Sequence, residues 1–204
     1  GVDFLTWVRG TGAARRPSSS TPEHDSALVA VDDAIRLAEP PAPAREAPHV
    51  DEGRLRGALA QLAAGLEHLH DAGRIHRDVK PSNVLVRPDG QLVLLDFGLV
   101  HESQDSTDWS GSGVVGTVAY MAPEQAAGAP VTAAADWWSV GAMLYEALTG
   151  APPHEGRPLE VLVAKQRAAP PPPSALVPGL PEDLDQLAGE LLSLSPEERP
   201  TARA

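Results

Sequence analysis

No cysteine occurs among the 204 residues, which excludes disulfides and thiolate metal sites and fits a reducing compartment. Positive charge is also scarce. Sixteen Lys and Arg against 28 Asp and Glu leave a net charge of −12, the wrong sign for a surface that grips nucleic-acid phosphates. No apolar run approaches the length of a membrane span, and the first residues do not form a charged segment followed by an apolar one. A cytoplasmic location is therefore expected, with a membrane anchor possible only elsewhere in a longer parent. The apolar fraction of 42% is that of a folded protein, and the length suffices for one domain with a sizeable core or two small ones. Both ends read as cut. The chain opens on Gly1 rather than Met and stops at Ala204, just after the helix-start-like Ser195-Pro196-Glu197-Glu198.

The most informative stretch runs from Ile75 to Gly98. Val84-Leu85-Val86 and Leu92-Val93-Leu94-Leu95 are short apolar runs of strand character, and Pro88-Asp89-Gly90 between them is a hairpin signal. Antiparallel pairing brings Asn83, before the first strand, to the same end as Asp96, after the second. Asp78 and Lys80 lie in the loop just before. Two carboxylates, an amide and a lysine grouped this way suit a hard cation and a polyphosphate.

Helical signals surround this hairpin. Val2 to Val8 has apolar residues at positions compatible with a short helix, which Gly10 and Gly12 would end. Residues 13–50, rich in Arg, Ser, Pro and Ala, read as a flexible insertion with one short amphipathic piece, Leu28 to Leu37. From Asp51 to Ala72, Leu55, Leu59, Leu62, Leu66 and Leu69 recur at helical spacing and Gly73 follows as a stop. His68 and His70, two apart, fall on different faces and read as helix-surface residues, not a metal pair. Ala133 to Thr149 is apolar nearly all round and must be central. Further helices are predicted over Pro158 to Arg167 and over Glu182 to Leu194, the latter with Leu184, Leu187, Leu191 and Leu194 on one stripe. The run Pro170 to Pro173 between them reads as a stiff spacer.

His76-Arg77-Asp78-Val79-Lys80-Pro81-Ser82-Asn83, Asp96-Phe97-Gly98, Ala122-Pro123-Glu124 and Asp136-Trp137-Trp138-Ser139-Val140-Gly141 stand in this order. Together they resemble the catalytic loop, magnesium motif and following motifs of the eukaryotic-like protein kinases, in their bacterial serine/threonine style. The resemblance covers residues 1–204 and implies a mainly α fold with small β-hairpins: the larger, C-terminal lobe of a kinase domain, the smaller lobe lying outside the chain. It also implies roles for single residues. Asp78 takes or orients the proton of the acceptor hydroxyl, Lys80 offsets charge on the transferred group, and Asn83 and Asp96 hold Mg2+. Leu85 floors the adenine of ATP. Asp3 matches an acidic position that reaches the ribose, with a solvated helix-start acid as the alternative. Thr117 matches a position that bonds the catalytic Asp and Lys, and with Lys80 it points to Ser/Thr acceptors. His76 and Phe97 are packing pieces, Asp136 accepts hydrogen bonds from the catalytic-loop backbone, and Arg199 pairs with Glu124. Ser103, Ser106, Thr107, Ser110, Ser112 and Thr117 lie in the matching activation segment, where an added phosphate would give Arg77 a partner.

The chain contains no Gly-rich phosphate loop, strand lysine or partner glutamate of the kinase type. The expected function is ATP-dependent phosphorylation of protein Ser/Thr hydroxyls by the parent, with ATP and protein substrates as partners and this polypeptide alone a poor catalyst. Two other classes compete. One is a non-catalytic kinase-like lobe that binds protein partners. The other is a small-molecule kinase of the aminoglycoside or choline type, against which the Ala-Pro-Glu motif, Thr117 and the Asp136 helix argue.

Overall fold

A computed structural model describes residues 1–10, 48–95 and 117–202. Most of the 13–50 segment lies outside the described residues, as do Asp96, Phe97, Gly98 and the hydroxyls from Ser103 to Ser112.

The all-round apolar segment forms helix α4, Ala134–Thr149, and every residue in it except Ala134 and Glu146 is buried. (In chain order the earlier helices are α1, Phe4–Arg9; α2, Glu52–Asp71; and α3, Pro123–Ala126.) Two further helices follow, α5 at Pro158–Arg167 and α6 at Glu182–Leu191. Helix α2 begins where Asp51 accepts from Arg54 N at 3.0 Å, a side-chain N-cap, and it buries Leu55, Leu62 and Leu66 against α1 and α4. Helix α6 lies against α4 so closely that a methyl on Gly141 would sit 2.7 Å from Leu191 Cβ. Only glycine fits there.

The two predicted strands, β2 (Val84–Val86) and β3 (Leu92–Leu94), pair antiparallel with Val84 opposite Leu94 and Val86 opposite Leu92. Gly90 closes the turn at φ +83°, a conformation costly for any residue with a Cβ. Gln61 of α2 pins the hairpin from outside, donating to Gly90 O and accepting from Leu92 N, each at 3.0 Å. At the start of the chain the structure departs from the helix expected over Val2 to Val8. Val2–Asp3 is a strand, β1, which adds to β2 and makes one three-stranded sheet of order β1-β2-β3. The helix begins only at Phe4, because Asp3 is spent as its cap, accepting from Thr6 N at 3.0 Å and from Thr6 Oγ1 at 2.7 Å.

A second correction concerns the last helix, which ends at Leu191 rather than Leu194 and leaves Leu194 exposed. The physical reason is Arg199, whose Nε and Nη2 reach the carbonyls of Ser193 (2.8 Å) and Leu194 (3.5 Å), so the chain there turns around a guanidinium. The same guanidinium makes a two-pronged pair with Glu124, at 2.7 and 2.9 Å. It also donates to Ala134 O at 2.9 Å and lies over the Trp138 ring at 5.2 Å. Its side chain is fully buried, and that of Glu124 nearly so.

Two outcomes follow. Gly141→Ala is expected to lower unfolding free energy by about 1–3 kcal/mol in a urea titration, since neither helix backbone has room to yield. Arg199→Ala is expected to cost roughly 3 kcal/mol or more, because it strands the Glu124 carboxylate; an unchanged thermal midpoint would contradict this.

Candidate functional site

The hairpin carries the site at its open end. Leu95 N donates to Asn83 O at 2.8 Å, extending the β2–β3 pairing by one bond, and Asn83 closes a single helical turn, Pro81–Asn83, whose first bond runs from Asn83 N to Lys80 O. Proline at the turn's start presets its φ. This buries Asn83 and aims its amide back along the loop, where Nδ2 donates to both Asp78 O and Asp78 Oδ2 at 2.9 Å. The same Asp78 Oδ2 lies 2.8 Å from Lys80 Nζ, and Lys80 Nζ donates to Thr117 Oγ1 at 2.9 Å. Four of the sequence-derived residues thus form one hydrogen-bonded group. Asp78 and Lys80 keep about a fifth of their side-chain surface open, so a substrate can reach them. Leu85, between buried Val84 and Val86, points to the sheet face away from the core.

The loop bearing Asp78 is held from beneath by a buried carboxylate. Asp136, in the first turn of α4 and fully buried, accepts from His76 N at 2.9 Å and from Arg77 N at 2.8 Å. Arg77 has φ +68° without being glycine, a strain of about 1–3 kcal/mol. It is fixed at both backbone ends: Asp136 takes its N–H, and Gln125 Nε2 donates to its carbonyl at 3.0 Å. His76, also buried, bridges the loop to the hairpin. Nε2 lies 2.7 Å from Leu95 O, and Nδ1 accepts from Asp78 N at 3.3 Å. Those partners assign the proton to Nε2.

His70 departs from the reading as a helix-surface residue. Its Nε2 lies 2.8 Å from Asp136 Oδ2, and its ring meets Trp137 edge-on at 5.8 Å. The signal was present, since His70 falls four residues after Leu66 and so continues the buried stripe. His68 is exposed, and the described residues hold no group of three or more His, Cys, Asp or Glu arranged for a metal. Asp96, the second expected metal residue, and Phe97 lie outside the described residues.

Two further groups were not foreseen. Tyr120 OH donates to Glu146 Oε2 at 2.5 Å, while Arg9 Nη2 donates to Glu146 O at 3.0 Å. Burial raises the Glu146 pKa, opposed by the Tyr120 hydroxyl and Arg9. Burial, reinforced by Glu146, also keeps the Tyr120 phenol protonated. The other is Lys165 of α5, fully buried, whose Nζ lies 2.6 Å from Val118 O, 2.6 Å from Met121 O and 3.5 Å from Ala119 O. Burial lowers its pKa to about 7, while three converging carbonyl oxygens favour the ammonium.

The family model of the protein kinase domain matches residues 31–204. The serine/threonine-protein kinase PknE of Mycobacterium tuberculosis is 39% identical over 141 residues, covering 69% of this chain and 25% of the relative. PknB of the same species is 40% identical over 144 residues, covering 69% and 23%, and AtPK1/AtPK6 of Arabidopsis thaliana is 47% identical over 105 residues, covering 52% and 22%. The chain thus spans about a quarter of the length of these curated relatives. The ordered motifs, the loop held on Asp136 and the family match together make the chain a member of the protein kinase family, in its bacterial-type serine/threonine branch.

Proposed function

We propose that the protein containing this chain transfers the γ-phosphate of ATP to Ser and Thr hydroxyls of proteins, and that the chain supplies the C-terminal lobe with its catalytic loop. The observation that carries the reading is the single hydrogen-bonded group of Asp78, Lys80, Asn83 and Thr117. In-line phosphoryl transfer needs little covalent help from a protein; it needs positioned reactants and a place for negative charge. Asp78 Oδ2 accepts from Asn83 and pairs with Lys80, which fixes its rotamer and leaves its other oxygen to take or orient the proton of an incoming hydroxyl. Lys80, between Asp78 and Thr117, is placed to offset charge that builds on the transferred group.

The donor chemistry fits magnesium. Asn83 spends its N–H on Asp78 and keeps its amide oxygen as a hard donor, and Asp96 follows β3 one residue after Leu95, which is bonded to Asn83. A site of one or two protein oxygens completed by water and phosphate is what this cation takes. When bound, Mg2+ would neutralise phosphate charge. Leu85 is proposed to underlie the adenine, and Asp3, half-exposed while capping α1, to reach the ribose. We further propose that the polypeptide alone is a poor catalyst, that residues 13–50 form an insertion, and that the protein acts in the cytoplasm. Among the described residues no helix is long and apolar enough to cross a membrane.

Phosphotransfer to a generic protein substrate, measured with the full-length protein, ATP and Mg2+, tests the reading. Asp78→Asn is expected to lower kcat by about 10²–10⁴-fold with folding intact. Equal rates for the two proteins would contradict it.

A further inference from the structure

Helix α5 buries a lysine beside its apolar residues and leaves a leucine outside. Leu159 is 72% exposed, while Lys165, on the face shared with Val161 and Leu162, is 0% exposed. Among the described residues no carboxylate pairs with that ammonium. A buried cation without a counter-charge is retained only where its hydrogen bonds are worth more than its desolvation.

Those bonds go to one place. Residues 117–120 are helical, and the carbonyls at the end of a helix lack partners within it. Lys165 Nζ takes those of Val118 and Met121 at 2.6 Å each, with Ala119 O at 3.5 Å, and Ser139 Oγ donates to the remaining one, Tyr120 O, at 2.9 Å. All four carbonyls from 118 to 121 are accounted for, three of them by one side chain. The neighbouring His154, its pKa lowered to about 4 by burial and by Lys165, is neutral at pH 7 and brings no competing charge. The backbone so fixed begins one residue after Thr117, whose hydroxyl receives Lys80 Nζ at 2.9 Å.

We infer that Lys165 is a positioning residue for phosphoryl transfer: from α5 it fixes the backbone of residues 118–121 and so holds Thr117 Oγ1 where Lys80 meets it. The inference rests on the kinase reading above and adds to it a residue outside the recognised motifs. A lysine that served only to fill space would give way to an apolar side chain of equal length without selective loss, and one that served only stability would act independently of Thr117.

A double-mutant cycle in the full-length protein separates these, with kcat and KM measured for ATP and a generic protein substrate. Lys165→Met is expected to lower kcat by roughly 10–100-fold while leaving KM for ATP unchanged. In a Thr117→Ala background the same change is expected to alter kcat by less than about two-fold, because the route through Thr117 is already cut. Should Lys165→Met fail to fold, Lys165→Gln, which retains a donor for one carbonyl, takes its place in the cycle. An unchanged kcat in Lys165→Met, or losses that multiply in the double variant, would overturn the inference while leaving the kinase reading standing. No phosphotransfer by the unsubstituted protein would overturn that reading and the inference with it.

Discussion

The site depends on one carboxylate in a place where water cannot reach. Asp136 is fully buried, and its charge is held by three donors: the backbone N–H groups of His76 and Arg77 and the ring of His70. A carboxylate in such surroundings without partners would cost several kcal/mol, so the contact constrains both sides. Helix α4 needs the loop to satisfy its aspartate, and the loop needs α4 to hold Arg77 in a left-handed conformation that it would not adopt unaided. Asp78 is the next residue. Its carboxylate inherits its position from a strained backbone fixed at both ends.

Helix α4 is the common ground for the other half of the site as well. Ser139 bonds Tyr120 O, Glu146 accepts the Tyr120 hydroxyl, and Ala134 O receives the guanidinium that also grips Glu124. The segment from Thr117 to Glu124 is therefore fixed at its carbonyls, a phenol and a carboxylate, each to a partner outside itself. Asp78, on a loop hung from the start of α4, and Thr117, on a segment hung from its middle and from α5, are joined by Lys80. A lysine is suited to that junction because its ammonium offers three donors on a flexible stem.

Much of this was legible in the sequence where a regular period or a local motif carried it. The leucine spacing of α2, the apolar α4 and the turn at Gly90 gave those elements close to their observed bounds, because burial on one face and turn chemistry are local rules. The strand at Val2–Asp3 was not legible, since two residues make a strand only through their partner β2. Helix α6 was read too long because the arginine that stops it lies five residues beyond Leu194 and acts through tertiary contacts. His70 and Lys165 were missed for a shared reason. The stripe position of His70 stood in the sequence, but the buried acceptors that hold it and Lys165 inside come only from the fold.

The most direct test of the dependence on Asp136 is amide hydrogen exchange in Asp136→Asn, read at His76 and Arg77 in the full-length protein. Asparagine keeps the shape but removes the charge, and hydrogen bonds to a charged acceptor are worth about 1.5–3 kcal/mol. The expected result is exchange roughly 10–100-fold faster at those two amides, with the interior of α4 still protected. Unchanged protection at His76 and Arg77 would show that something other than this carboxylate holds the loop that bears Asp78.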